Sequence, residues 1–517
     1  MTAKKNNKLI VFARVVCHEG GTARLHPKTM KTLPPRHQDT KVFFSFSSRS
    51  FAFFAAIFIS VFVCSFRTQA GEAVKNKYFV LENGLRVFLE ENDKIPLVNI
   101  AAAVNVGSKD EEKEFSGLVH LLEHLVLFAG SHSAPAAELT EKIRENGIYF
   151  NAHTGHDLMT VEISVPPEYT PTAINLLREK LFNLALTQGE LEKEKKVILE
   201  ELSQQMDEPG ALGMQLALRE LFKGHPYDKP VGGESTSIEN VTLESLERFY
   251  QKYFIPVNCA LSVVGDFKIE TVEERIRQDF GSVKGPAGTP IPLSQPVFPL
   301  VPALAKSVET WRELDITQAH LFMGFSAPGL NRADKLPMDV LTRILGKGVN
   351  PLLYNAFKSR GRPVDYLDIQ YIPLNYGGAV LVHLTLEAKK IPLAKSQLLI
   401  FLKELKSYRF SKKDYQYRLD PDITDYLETA KAWMQLVYRQ YLERELNLAV
   451  SYARYMLTYD NNHPAQQEKQ DQDQNQQDYS QQLKTIQSSD IQDVAANYFS
   501  GRKYVMIAIV PGNKKDK

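Results

Sequence analysis

The 517-residue chain has few cysteines and almost no net charge. Its cysteines are Cys17, Cys64 and Cys259, and only Cys259 lies beyond residue 70. An intrachain disulfide in the body is therefore excluded, and a chain of this length does not need one. We interpret Cys259, which lies in an apolar stretch, as inert packing.

Basic residues are in excess only at the amino terminus. Residues 1–70 hold 11 Lys and Arg against 2 Asp and Glu, which is a net charge of +9. The net charge of the whole chain is +1, so residues 71–517 carry a net charge of about −8. An acidic body gives no support for binding to nucleic acid.

One long apolar run occurs, at residues 51–66, which hold no charged residue. Arg49 precedes it, and small residues follow at Ala70 and Ala73, as in a secretory signal. The alternative is an uncleaved anchor, since the run is slightly short for a membrane span. We treat 1–70 as a leader and expect a secreted or periplasmic body, in contact with a membrane only through this segment if it stays uncleaved.

The stretch Val119–Leu125 reads H-x-x-E-H. In a helix, His120 and His124 lie one turn apart on the same face, where two imidazoles can bind one divalent cation. Glu123 lies beside them and can take a proton from water that the cation activates. The order of residues is the inverzincin signature. The alternative is a set of polar core residues with ordinary hydrogen bonds.

A catalytic zinc site needs a third protein ligand if water is to fill the fourth position. Residues 191–202 favour a helix in which Glu194 and Glu201 are two turns apart on one face, next to Ile198. Such a pair suits one metal ligand and one acid that orients a ligand. An exposed, charge-rich helix is the alternative.

With both stretches, the chain resembles the insulinase/pitrilysin family of zinc peptidases, which includes the mitochondrial processing peptidases and bacterial homologues. Glu201 ends a V-I-x-x-E run 77 residues after His124, as the family pattern requires. The resemblance implies that His120, His124 and Glu201 bind one Zn²⁺ per chain. It also implies that Glu123 is the general base and Glu194 the supporting acid.

Further along, Asn151, Ala152 and Thr154 match the family's Asn-Ala-x-Thr strand. The resemblance implies that this strand lies beside the zinc and binds substrate as an added strand, through main-chain hydrogen bonds. A protected sheet edge with a polar Asn is the alternative. We interpret the neighbouring His153 and His156 as surface histidines and not as ligands.

The second part of the chain repeats the pattern of the first. Residues 488–499 parallel 243–254, and both runs lead into an apolar strand. A two-copy repeat predicts a duplicated domain. We therefore predict an α+β fold of two homologous domains, each a mainly antiparallel sheet packed with helices, enclosing a cleft.

The predicted boundaries follow from composition. A catalytic domain at 71–285 and a second domain at 303–517 are separated by a Pro-, Gly- and Ser-rich linker at 286–302. A Gln-rich segment at 461–482 has almost no apolar residues and is predicted to be a loop.

The second copy lacks the metal motif, since residues 337–345 contain no histidine. In active relatives this half supplies an Arg and a Tyr that face the zinc. Tyr366 matches the Tyr, whereas Arg360 and Arg362 are out of register.

These patterns predict a zinc metalloendopeptidase that hydrolyses peptides or unfolded polypeptides. The alternative is a catalytically silent subunit, or one that completes the chamber of a peptidase-like assembly. Family members close a chamber from four such domains, so a two-domain chain implies a homodimer or a heterodimer with a homologous chain.

Overall fold

The computed structural model describes residues 75–284, 298–348, 351–359, 364–414, 425–458 and 479–512. The predicted leader, most of the predicted linker and most of the Gln-rich segment lie outside these ranges. Residues 479–485 are helical, so the last part of the predicted Gln-rich loop is not a loop. Among the described residues, no helix has the length and apolar character needed to cross a bilayer.

The first half, within residues 75–284, forms one sheet and a set of helices on it. Its strands are β1 (Asn76–Val80), β2 (Arg86–Glu91), β3 (Val98–Val104), β4 (Tyr149–Thr154), β5 (Met159–Val165) and β6 (Cys259–Gly265). Its helices are α1 (Leu118–Phe128), α2 (Ala136–Glu145), α3 (Thr170–Phe182), α4 (Gln188–Asp207), α5 (Pro209–Leu221), α6 (Ser235–Asn240), α7 (Leu243–Tyr253) and α8 (Ile269–Gly281).

The second half forms a sheet of its own. Its described strands are β7 (Val308–Leu314), β8 (Ala319–Ala327), β9 (Tyr366–Leu374), β10 (Gly377–Leu386) and β11 (Val505–Pro511). Its helices among the described residues include α9 (Lys335–Gly346), α10 (Leu352–Ser359), α11 (Ile391–Glu404), α12 (Tyr426–Leu442), α13 (Glu445–Thr458) and α14 (Ser488–Tyr498).

The two sheets have the same topology, except that the first has one additional edge strand, β1. The first runs β1-β2-β6-β3-β5-β4 and the second β7-β11-β8-β10-β9. In each sheet the last strand of the half pairs in parallel with one neighbour, β2 or β7, and all other pairs are antiparallel. The predicted α+β fold of two duplicated domains is confirmed.

The ladder registers match residue by residue. Across the first sheet, Tyr149 faces Ser164, Ser164 faces Asn99, and Asn99 faces Val264. The same path across the second sheet is Tyr366, Thr385, His320 and Ile509. Residues at equal positions in the two sheets can therefore be compared directly.

Each half covers one face of the other half's sheet. One face of the first sheet packs on helices of its own half, while Ala101 and Ala103 on the opposite face pack against α13 of the second half. Likewise α5 of the first half packs on the second sheet, where Leu221 and Phe222 share a cluster with Phe322. Both sheets are thus buried on two faces, and the halves are held together by exchanged helices.

Gly213 lies on α5 against the second sheet. A Cβ at this position would overlap the ring of Phe322 on β8. Because a packed ring cannot withdraw without disturbing its neighbours, we expect Gly213→Ala to destabilise the fold by about 1–3 kcal/mol. The measurement is the free energy of unfolding in denaturant. Gly189→Ala is the control, since a Cβ on that helical glycine meets nothing within 4 Å; equal stability of the two variants would contradict this packing.

Candidate metal centre

Helix α1, which carries the H-x-x-E-H motif, is anchored at its first turn. Gly117 precedes it with φ 94°, a left-handed conformation that favours glycine. The buried carboxylate of Glu111 accepts hydrogen bonds from the main-chain nitrogens of Gly117 (2.9 Å) and Val119 (2.8 Å). These bonds satisfy donors that a helix leaves free at its amino end.

Glu111 was not identified from the sequence. Its place in a charged loop resembles that of any solvated acid. The one available signal is that Gly117, where the helix starts, has no side chain to cap it.

The three predicted metal ligands converge. Nε2 of His120 lies 4.0 Å and Nε2 of His124 lies 3.7 Å from Oε2 of Glu201, which belongs to helix α4. In the described part of the chain this is the one group of three or more His, Cys, Asp or Glu side chains placed to hold a metal, with ligand atoms within 4.8 Å of one another.

The donor set fits zinc. Two imidazoles and a carboxylate are a common catalytic zinc set, and ligands on a tetrahedral zinc stand about 3.4 Å apart. The side chain of Glu201 is 41% exposed, so it can rotate to close the small remaining gap. Burial, with a further contribution from His124, lowers the pKa of His120 to about 4, which leaves the imidazole neutral and able to bind a cation.

Glu194 supports the second imidazole. Its buried carboxylate lies 3.3 Å from Nδ1 of His124, the ring nitrogen that does not face Glu201. Burial raises the pKa of Glu194, but hydrogen bonds with His124 and Lys193 outweigh this effect and hold the pKa below its usual value. An ionised carboxylate here fixes the ring so that Nε2 faces Glu201.

Glu123 lies at the wall of a cavity of about 440 Å³. Burial raises the pKa of its carboxyl group, while Thr154 and His124 oppose the shift. The cavity is lined by residues of the first half, namely His120, Glu123, His153, Thr154, His156, Gln205, Ala211, Met214, Gln215, Leu218, Arg219, Tyr227, Asp228, Lys229, Pro230, Val231 and Gly232. Its lining combines apolar side chains with an acid able to exchange a proton.

The predicted substrate strand is β4, at the edge of the first sheet. It pairs with β5 on one side, and no strand of the described chain pairs with its other side. Ala152 is buried and Thr154 lines the cavity. Asn151 lies on the opposite face, where its amide contacts Tyr149 and His153 at 3.2 Å each. A free sheet edge thus runs beside Glu123.

His153 and His156, interpreted as surface histidines, both line the cavity. His153 is exposed, whereas His156 is half-buried, and its Nδ1 lies 2.8 Å from the Ser108 hydroxyl. Burial lowers the pKa of His156 to about 4. Neither is in the metal group.

Tyr366 is placed at the edge of the second sheet. It is 49% exposed, its ring lies 5.3 Å from that of His383, and it is not among the described residues that line the cavity. Tyr366 occupies the register position in the second sheet that Tyr149 occupies in the first sheet. Arg360 and Arg362 lie outside the described residues, so the role of Tyr366 at the zinc stays a prediction.

One wall of the cavity is tied to the second half. The Tyr227 hydroxyl donates to Asp157 (2.7 Å), and the main-chain nitrogen of Tyr376 donates to the Tyr227 hydroxyl (3.2 Å). The main-chain nitrogen of Asn375 donates to the other oxygen of Asp157 (3.1 Å). The turn between β9 and β10 therefore helps to position the cavity wall, which the sequence did not indicate.

Two family descriptions match the chain and together cover more than half of it. Residues 86–235 match "Insulinase (Peptidase family M16)" and residues 240–419 match "Peptidase M16 inactive domain". The chain is similar to uncharacterized zinc proteases of two bacteria. The identity is 26% over 54% of this chain and 66% of the Bacillus subtilis protein, and 27% over 54% of this chain and 66% of the Rickettsia felis protein. The chain thus spans just under two thirds of the length of these relatives.

Solved structures share the fold. A protease from Helicobacter pylori has a TM-score of 0.74 at 23% identity and covers 85% of this chain and 100% of its own. A peptidase M16 inactive domain from Pseudomonas fluorescens has a TM-score of 0.68 at 17% identity. The match covers 85% of this chain and 98% of that chain. The chain belongs to the insulinase family of peptidases, family M16, with the H-x-x-E-H motif in its first domain and a second domain that matches the family's inactive domain.

Proposed function

We propose that this chain is a zinc-dependent endopeptidase that hydrolyses peptides or unfolded polypeptides. The observation that carries the proposal is the convergence of His120, His124 and Glu201, with Glu123 beside them at the cavity wall. The zinc-protease names of the relatives support the same reading.

His120, His124 and Glu201 would hold the ion. When bound, zinc would supply a Lewis acid that polarises the scissile carbonyl and makes water more acidic. Glu123 accepts a proton from the attacking water and then delivers it to the departing amine. The burial that raises the pKa of Glu123 makes its carboxylate a stronger base for this transfer. Glu194 holds the ring of His124 in place throughout.

Substrate would bind along the free edge of β4. Main-chain hydrogen bonds to Ala152 and its neighbours recognise an extended chain with little side-chain preference. A folded protein has few exposed segments that can add to a sheet edge. The geometry therefore favours peptides and unfolded polypeptides as substrates.

We also propose that the body acts outside the cytoplasm, exported through residues 1–70, and touches a membrane only through that leader if it stays uncleaved. We further propose that it pairs with a second copy or with a homologous chain. The first proposal rests on the basic leader with its apolar run at 51–66. The second rests on the resemblance to a family whose chambers close from four such domains.

Removal of zinc tests the proposed function. We expect one tightly bound zinc per chain, and we expect a chelator to abolish cleavage of an unfolded polypeptide. Zinc at about one hundred times its Kd would add about 2.7 kcal/mol to stability, so chelation should also lower the midpoint of thermal unfolding. Metal analysis, a cleavage assay and a thermal scan measure these effects. Cleavage that survives complete removal of metal would refute the proposal.

A further inference from the structure

The second sheet carries a pair of histidines outside the centre described above. Nδ1 of His320, on β8, lies 3.1 Å from Nε2 of His383, on β10. The register places His320 opposite Thr385 and His383 opposite Phe322, so the two histidines are diagonal neighbours on one face of the sheet. This is the face that α5 covers.

The surroundings hold the two rings in place. The ring of Phe322 stacks on that of His383 at 4.1 Å with an interplanar angle of 9°. Within the described residues, the contact between His320 and His383 is the one hydrogen bond that either imidazole makes. Their facing nitrogens are thus bonded to each other and to no other protein group described.

The first sheet has other residues at the two positions that are equivalent to His320 and His383. By register, Asn99 stands where His320 stands, and Glu162 stands where His383 stands. The amide of Asn99 donates to Glu445 (3.2 Å), the first residue of the covering helix α13. An acid at the start of the covering helix thus bonds the sheet directly in one domain.

The helix that covers the second sheet also begins at an acid, which the first half supplies. Glu208 caps the covering helix α5, and its charge acts on both His320 and His383. Burial lowers the pKa of His383 to about 4 and also lowers that of His320, so both imidazoles are neutral at pH 7. Neutral imidazole is the form that binds metals. For both facing nitrogens to bind, the hydrogen bond between them breaks and the donating ring changes tautomer, so that its proton moves to the nitrogen that faces away.

The spacing of the nitrogens suits a shared ion. Two nitrogens 3.1 Å apart, each about 2.1 Å from an ion, subtend about 95° at it, close to the right angle of square-planar or octahedral sites. We propose that His320 and His383 form a second metal site, distinct from the zinc centre, which binds a late first-row divalent ion such as Cu²⁺ or Ni²⁺ through two imidazole nitrogens. Water or a carboxylate fills the remaining positions.

The test uses the full chain with the first centre disabled by His120→Ala and His124→Ala. Equilibrium dialysis against Cu²⁺ measures stoichiometry and affinity, and electron paramagnetic resonance reports the nitrogens bound to copper. We expect a copper signal with two nitrogen ligands. A further His320→Gln or His383→Gln change should remove that signal and weaken binding at that site at least a hundredfold.

His132→Gln is the matched control, because His132 is exposed and lies outside both sites. It should leave the signal unchanged. Should the double change fail to fold, the single change His124→Gln serves in its place, because it leaves the first centre with one imidazole and no two-nitrogen copper signal of its own. Copper binding that is unaffected by loss of either His320 or His383, or no binding at micromolar copper, overturns the proposal. The test does not use cleavage, so its outcome is independent of the peptidase proposal.

Discussion

Glu123→Gln is expected to lower the rate of peptide cleavage by about 10²–10⁴-fold while zinc remains bound. Gln keeps the size and hydrogen-bonding shape of the side chain, but its amide cannot accept the proton of the attacking water. His120, His124 and Glu201 are untouched, so the affinity for the ion should change little. The measurement is kcat/KM on an unfolded polypeptide, together with the zinc content of the same sample.

Glu200→Gln is the matched control for this change. Glu200 is exposed on α4, next to a ligand in the chain, and is not part of the metal group. Its replacement should leave cleavage within the error of the assay. Zinc bound at full occupancy, with no cleavage that depends on Glu123, would instead favour the alternative of a silent or chamber-completing subunit.

Glu201→Gln is expected to cause the largest loss of zinc affinity among single changes of a carboxylate. An amide is a poor ligand for zinc compared with a carboxylate, so two imidazoles would hold the ion alone. We expect the loss to exceed the roughly 10–100-fold effect of removing a group that only orients a ligand. Competition with a chromophoric chelator measures the affinity.

Glu194→Gln is the comparison variant for the measurement of zinc affinity. Because Glu194 contacts Nδ1 of His124 and not the ion, its loss should fall within the roughly 10–100-fold range. If Glu194→Gln weakened zinc more than Glu201→Gln did, the assignment of ligand and supporting acid would have to be exchanged.

The sequence by itself determined the local parts of the centre. Helical periodicity places His120 and His124 one turn apart, and it places Glu194 and Glu201 two turns apart on one helix, whatever the rest of the chain does. That these two helices meet is not a local property. The resemblance to a known family predicted it, across the 77 residues between His124 and Glu201.

The duplication was also visible in the sequence. Equivalent helices and strands bury equivalent apolar positions, and this leaves the same periodic pattern in both halves. The pattern predicted the two domains, and the family resemblance predicted that the strand carrying Asn151, Ala152 and Thr154 lies at a sheet edge.

Only the tertiary structure decided how the halves are joined and which polar groups meet. The exchange of α5 and α13, the carboxylate of Glu111 at the start of α1, and the facing nitrogens of His320 and His383 all depend on residues far apart in the chain. Hydrophobic periodicity reports which side of an element is buried and does not report what covers it. The partner of a buried polar group is set by packing between elements, and a single sequence carries no local signal for that choice.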